Sequence, residues 1–261
     1  MYDFPELHSA HDALWAAIAT RLTAGKLESV PVSLTRPDDL SALWHDPGLL
    51  LGQACGYPLM TDLAGLVQLV ATPAYRTTGC QGAFHRSAIV VRAGDAVADL
   101  RGLRGRRCVI NGWDSNSGMN LLRATVAPLA EASRFFESVT VSGSHRQSLG
   151  LVATGDADVA AIDCVSLELI SRIDPALVAA TRVLAWSPLS PGLPLVTSAA
   201  TDATSIGALR RALADVAADP TLSAVRAELL LDGFVVLPIE TYAAILSFEA
   251  GAAAHGYSRL A

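Results

Sequence analysis

The sequence predicts an α/β protein of two lobes, with two mostly parallel sheets, helices on both faces and two crossing strands between the lobes. Three observations carry this. β-Branched apolar runs alternate with helix-period segments along the chain. The 261 residues are 51% hydrophobic and 17% charged, enough apolar material for two cores. The rhythm also breaks at the Pro-rich stretch Ser187–Pro194 before a further apolar strand, as a chain crossing between lobes would require.

The elements follow in order. Leu7, His11, Leu14, Trp15, Ile18 and Leu22 recur at helical spacing and stop at Gly25, marking an amphipathic helix with a glycine end. Val30–Thr35 is expected as a strand, Asp38–His45 as a helix and Leu49–Leu51 as an apolar strand. Val67–Ala71, Ala88–Arg92 and Cys108–Asn111 are further strands. A helix is then expected over about 117–130, strand Ser138–Ser142, helix His145–Thr154, strand Val159–Asp163, helix Ser166–Ile173 and strand Arg182–Trp186. Leu195–Ser198 reads as a strand and Ala208–Ala218 and Thr221–Leu231 as helices, with a fraying alanine-rich tail near Gly251–Ala254. Residues 93–186 therefore form an inserted lobe, and 1–92 with 187–261 the other.

Composition removes several function classes. A net charge of −6 leaves no basic stripe for nucleic acid. No apolar run approaches the roughly 20 residues of a membrane span, so no direct membrane insertion is expected. The start MYDFPELHSAHD lacks the pattern of a secretory signal, so the chain as written is expected in the cytoplasm, or in the periplasm if the true start lies upstream. The four cysteines show no CxxC or zinc-ligand spacing, so neither a metal nor a cofactor is expected. Four buried thiols are the simplest reading; a Cys55–Cys80 disulfide is the alternative, since both lie in Gly-containing loops.

Strand Cys108–Asn111 leads through Gly112-Trp113-Asp114 to Ser115-Asn116-Ser117-Gly118 and a helix. Unpaired first-turn amides and the helix dipole make such a start an anion site, although ordinary capping also explains these residues. Strand Ser138–Ser142 leads to Ser144 and His145, where Ser144 and Gln147 have capping-box spacing and His145 can donate to an oxyanion. Asp163 ends the next strand. Three successive strand ends thus offer hydroxyls, an imidazole and a carboxylate to one rim, where open α/β sheets bind ligands. From the other lobe, the loop Gln53-Ala54-Cys55-Gly56-Tyr57-Pro58 presents an amide, a thiol and a phenol. No GxSxG motif and no nucleotide-binding glycine loop is present, and no catalytic residue is assigned.

Met1-Tyr2-Asp3, Gln53–Pro58, Asp99-Leu100-Arg101-Gly102, Asn111 with Ser115–Gly118, Gly143-Ser144-His145, Ala161-Ile162-Asp163 and Ser190–Pro194, in this order, resemble the phosphate/phosphite/phosphonate substrate-binding proteins of ABC transporters. The resemblance implies a periplasmic-binding-protein-like fold with a small anionic ligand, phosphonate or phosphate, in the cleft. It implies that Ser115, Asn116, Ser117 and Gly118 hold the oxyanion, with Ser144 and His145 beside them. Asp163, Tyr57, Gln53, Tyr2 and Asp3 would meet the rest of the ligand, Asp163 serving as the partner of an amine. Membrane subunits of an importer are the implied protein partners. Family members begin with a strand ahead of the loop matching Met1-Tyr2-Asp3, whereas this sequence starts at that loop. The alternative is an enzyme on the same fold, resembling menaquinone-pathway or thiamin-pyrimidine-synthesis proteins, with His145, Asp163 or Cys55 as the reacting group.

Overall fold

The computed structural model describes residues 2–131 and 133–261, so Met1 lies outside it. In chain order the elements are α1 (His8–Ala24), α2 (Leu40–Trp44), β1 (Gly52–Gln53), α3 (Gly56–Met60), β2 (Val67–Tyr75), β3 (Phe84–His85), β4 (Ser87–Arg92) and β5 (Arg107–Ile110). A five-residue π-helical turn, Asn116–Asn120, runs straight into α4 (Leu121–Val126). There follow β6 (Ser138–Val141), α5 (His145–Thr154), β7 (Val159–Asp163), α6 (Cys164–Ile173), α7 (Pro175–Ala179), β8 (Thr181–Trp186), β9 (Ser190–Pro191) and β10 (Leu195–Ser198). The chain ends with α8 (Ala203–Ala218), α9 (Ser223–Glu228), β11 (Leu231–Val235) and α10 (Ala243–Ala254).

Two compact units result. The first comprises residues 1–76, 81–83 and 192–241, the second 77–80, 84–191 and 242–261. The first unit contains the sheet β1-β10-β2-β11, in which every pairing is antiparallel. Its core joins Trp15, Ile18 and Leu22 of α1 to Val70 and Ala71 of β2 and to Leu209, Leu213 and Val216 of α8. Each buried Leu, Ile or Val of this cluster contributes about 1.5–3 kcal/mol by leaving water. Because α1 presents this face with a period of 3.6 and ends at Gly25, whose N–H returns to the Arg21 carbonyl, the first helix matches its expected form.

The second unit is built on the sheet β6-β5-β7-β4-β8. β5 pairs in parallel with β6 and β7, whereas β4 is antiparallel to both β7 and β8. Strand β7 is buried along its whole length and β4 along all but Arg92, as a sheet covered on both faces demands. Capping fixes the helix starts: Ser144 caps α5, Asp163 caps α6 and Asp202 caps α8, while Gly155 ends α5 at φ 85°.

Several expectations are corrected. The first unit's sheet is antiparallel and the second unit's is mixed, rather than both mostly parallel, because apolar periodicity reports which face a strand buries and not its direction. Val30–Thr35 forms no strand: Pro31 offers no amide, Val32 is 95% exposed, and the Pro31 carbonyl instead accepts the Trp15 indole N–H at 3.2 Å. Pairing expected at Leu49–Leu51 begins at Gly52. The helix placed over Thr221–Leu231 ends at Glu228, Leu230 turns at φ 59°, and β11 follows. The tail does not fray but forms α10, after which Tyr257 and Leu260 are buried. Residues 77–80, 84–92, 187–191 and 242–261, assigned by sequence to the first lobe, group with the second unit.

Candidate functional site

Strands β6, β5 and β7 lie side by side and point the same way, so their carboxyl ends form one rim of the second unit. β5 delivers Asn111 and Ser115, β6 delivers Ser144 and His145, and β7 ends on Asp163. At this rim His145 Nε2 and Ser117 Oγ share a hydrogen bond of 2.9 Å. Ser115 Oγ lies 3.5 Å from Ser117 Oγ and accepts the Gly118 N–H at 2.9 Å. The Ser117 carbonyl is held from behind by the Ser87 hydroxyl at 2.9 Å. The expected clustering of helix-start hydroxyls with an imidazole is therefore present.

The electrostatics follow from burial. Desolvation pushes His145 down to about 4, against the upward pull of the Asp163 charge and the Ala161 carbonyl, while His85 adds to the lowering. His145 is therefore a neutral imidazole at pH 7. Its Nδ1 is buried without a partner at hydrogen-bonding geometry. Asp163 and His85 form a buried ion pair, Nδ1 to Oδ2 2.6 Å, with side chains 1% and 3% exposed. Burial opposes both charges, but each partner's charge and hydrogen bond outweigh it. The carboxylate is lowered and the imidazole raised, so the two shifts agree on a charged pair.

His85 is the residue that sequence reasoning missed. The sequence reading assigns residues up to 92 to the first lobe, which separates His85 from the strands of the rim, whereas it groups with the second unit. Because β4 runs antiparallel, its start, Ser87, pairs with Asp163 and brings His85 to the rim. A histidine just ahead of the apolar run Ala88–Val91 was the available signal.

The other expected residues of the second unit have partners within it. Both oxygens of Asp163 are engaged: Oδ1 accepts the Val165 and Ser166 amides at 2.9 and 3.0 Å, and Oδ2 takes His85. The Asn116 side chain donates to Ser190 Oγ at 2.9 Å and accepts from Asn120 at 3.1 Å, inside the unit. Ser144 accepts the Gln147 amide at 3.2 Å, the cap half of the expected box. Gly118 is required sterically, since a Cβ there would stand 1.8 Å from Asn111 Oδ1.

The remaining expected residues lie in the first unit. Tyr2 is buried edge-on against Tyr75, with ring centroids 5.2 Å apart, and Gln53 Nε2 donates to the Tyr75 hydroxyl at 3.2 Å. Asp3 pairs with Arg36 at 2.8 Å and with His8 at 3.5 Å. Tyr57 lies half-buried in α3, and the buried Cys55 immediately precedes that helix. None of the four cysteines is in a disulfide, and the sulfur beside Cys80 is that of Cys164. Among the described residues no three His, Cys, Asp or Glu side chains converge as metal ligands. The rim can do one thing well, namely direct hydroxyls, a neutral imidazole and a helix start at an oxyanion.

Residues 49–242 match the family described as ABC transporter, phosphonate, periplasmic substrate-binding protein. No functionally curated protein matches the chain in sequence. Among solved structures, PhnD1 from Prochlorococcus marinus in complex with methylphosphonate is similar, with TM-score 0.72, 14% identity and 93% of each chain covered. XAC2383 from Xanthomonas citri, bound to ATP, gives TM-score 0.72, 16% identity and 95% coverage of each chain. A binding-protein component of an ABC phosphonate transporter from Pseudomonas aeruginosa gives 0.69 and 17%, over 94% of this chain and 82% of its own. At these identities the likeness establishes a shared fold, the two-lobed periplasmic-binding-protein type.

Proposed function

Since the chain belongs to the phosphonate-binding family of periplasmic ABC-transporter substrate-binding proteins, we propose that its second unit captures the oxyanion head of a small phosphonate or phosphate-like ligand at Ser115–Gly118. The observation that carries this reading is the 2.9 Å contact between Ser117 Oγ and His145 Nε2, which joins a helix-start hydroxyl to a neutral imidazole across adjacent strand ends. A ligand oxygen would replace this internal contact with one hydrogen bond from each group. The first-turn amides and the helix dipole favour the same negative charge. Asn116 then acts through its backbone, with its side chain anchoring the turn. Asp163, buried and paired with His85, positions the rim instead of meeting an amine. The proposal extends to Tyr57, Gln53, Tyr2 and Asp3 of the first unit, whose substitution is expected to weaken binding.

The family's description as periplasmic favours export over the cytoplasmic placement expected from the start of the sequence, and we propose delivery of the ligand to importer membrane subunits. No helix among the described residues is long and apolar enough to cross a membrane. Binding without turnover is part of the same proposal. Incubation with methylphosphonate followed by phosphorus NMR should return it intact, and a new phosphorus signal would contradict that. A thermal-shift series with methylphosphonate, phosphate and sulfate tests the ligand class. A concentration-dependent rise for the phosphorus oxyanions is expected, and no rise for either would overturn the reading.

A further inference from the structure

Two thiols outside the anion rim stand in direct contact. Cys80 Sγ and Cys164 Sγ are 3.5 Å apart, 84 residues apart in sequence, and both belong to the second unit. Cys164 is the first residue of α6 and is buried, its N–H held by the Arg86 carbonyl at 3.1 Å. Cys80 is half-buried and closes the turn Thr77–Cys80, its N–H returning to the Thr77 carbonyl at 3.1 Å. Gly79 makes the approach possible. At φ 98° a Cβ there would stand 2.9 Å from Cys164 Cβ and from the Trp186 ring, so only glycine lets the turn lie this close.

We propose that Cys80 and Cys164 form a dithiol site that small disulfides oxidise to an intramolecular disulfide. A bond requires the sulfurs to close to roughly 2.05 Å, within reach of side-chain rotation from their present separation. Exchange begins at Cys80, the more exposed sulfur; Cys164 is held protonated by its contact with Cys80 and by burial. Cys80 attacks the small disulfide and releases one small thiol, which carries off the Cys80 proton. Cys164 then attacks the Cys80 sulfur of the mixed disulfide, and its proton leaves with the second small thiol. One protein S–S bond forms, one small-molecule S–S bond breaks, and two electrons pass to the small molecule. The product ties the turn Thr77–Cys80 to the start of α6, one residue from Asp163.

The test uses the folded full chain, treated with oxidised glutathione, quenched in acid, denatured, alkylated and mapped by peptide mass spectrometry. Cys55 and Cys108 should be alkylated, and the Cys80 and Cys164 peptides joined. The oxidised protein should melt roughly 5–10 °C higher than the reduced one. Four alkylated cysteines, a lasting glutathione adduct on Cys80, or a bridge between another pair would overturn the proposal. In Cys80→Ser the same treatment should leave Cys164 alkylated; a bridge to Cys164 in that variant would equally overturn it.

Discussion

The His85–Asp163 pair sets the behaviour of the site residue by residue. Removing one partner of a buried ion pair leaves the other charge uncompensated, so His85→Leu should destabilise the protein by about 3–5 kcal/mol in urea unfolding. The pH dependence follows from the directions of the shifts. Asp163, lowered, contributes stability above its unfolded value that disappears as pH falls through the folded one. His85, raised, contributes stability below its unfolded value that disappears as pH rises through the folded one. The pair is therefore fully effective only in the window between. His145 has the opposite sense to His85. Its pKa drops from 6.5 to about 4, so the unfolded chain takes up a proton first and stability falls as pH drops across that interval. Wild type should lose on the order of 3 kcal/mol there relative to His145→Gln, measured by unfolding at matched pH values.

At the scale of elements, the π-helical turn Asn116–Asn120 decides whether the hydroxyls converge. Gly118 lies under Asn111, and Gly118→Ala must displace the Asn111 side chain, whose Oδ1 has no hydrogen-bond partner. This variant should weaken oxyanion binding at least tenfold in calorimetry while far-UV circular dichroism stays native. Much of this element was readable in the sequence: Ser115, Ser117, Ser144 and His145 reach one rim because hydroxyls and glycines interrupt the chain just after apolar runs. Strand direction was not readable, because a buried strand such as β7 shows the same unbroken apolar run either way. The assignment of residues 84–92 to the first lobe concealed His85 and left Asp163 looking like an open carboxylate. Nor did local pattern reveal the inward role of Asn116, since Ser190, its partner, lies 74 residues away.

For the whole molecule, the chain reaches its second unit in several passes, and the last of these is structural. Asn120 donates to the Ile245 carbonyl at 3.0 Å, and Arg123 to that of Ser258 at 2.8 Å. Arg123 also pairs with Glu249 at 3.4 Å. The Phe135 and Phe136 amides close on the Ala261 carbonyl at 2.7 and 2.9 Å. Deleting residues 243–261 should therefore destroy the cooperative unfolding transition of the second unit in calorimetry. Ligand, by contrast, should stabilise the intact chain by about 2.7 kcal/mol at a hundredfold excess over Kd. The central claim, that Ser117 and His145 together receive a phosphorus oxyanion, is tested most directly by titration calorimetry of methylphosphonate into wild type and into Ser117→Ala/His145→Ala. Saturable binding to wild type, with a loss of at least a hundredfold in the folded double variant, is the predicted result; equal affinity for both proteins would contradict it.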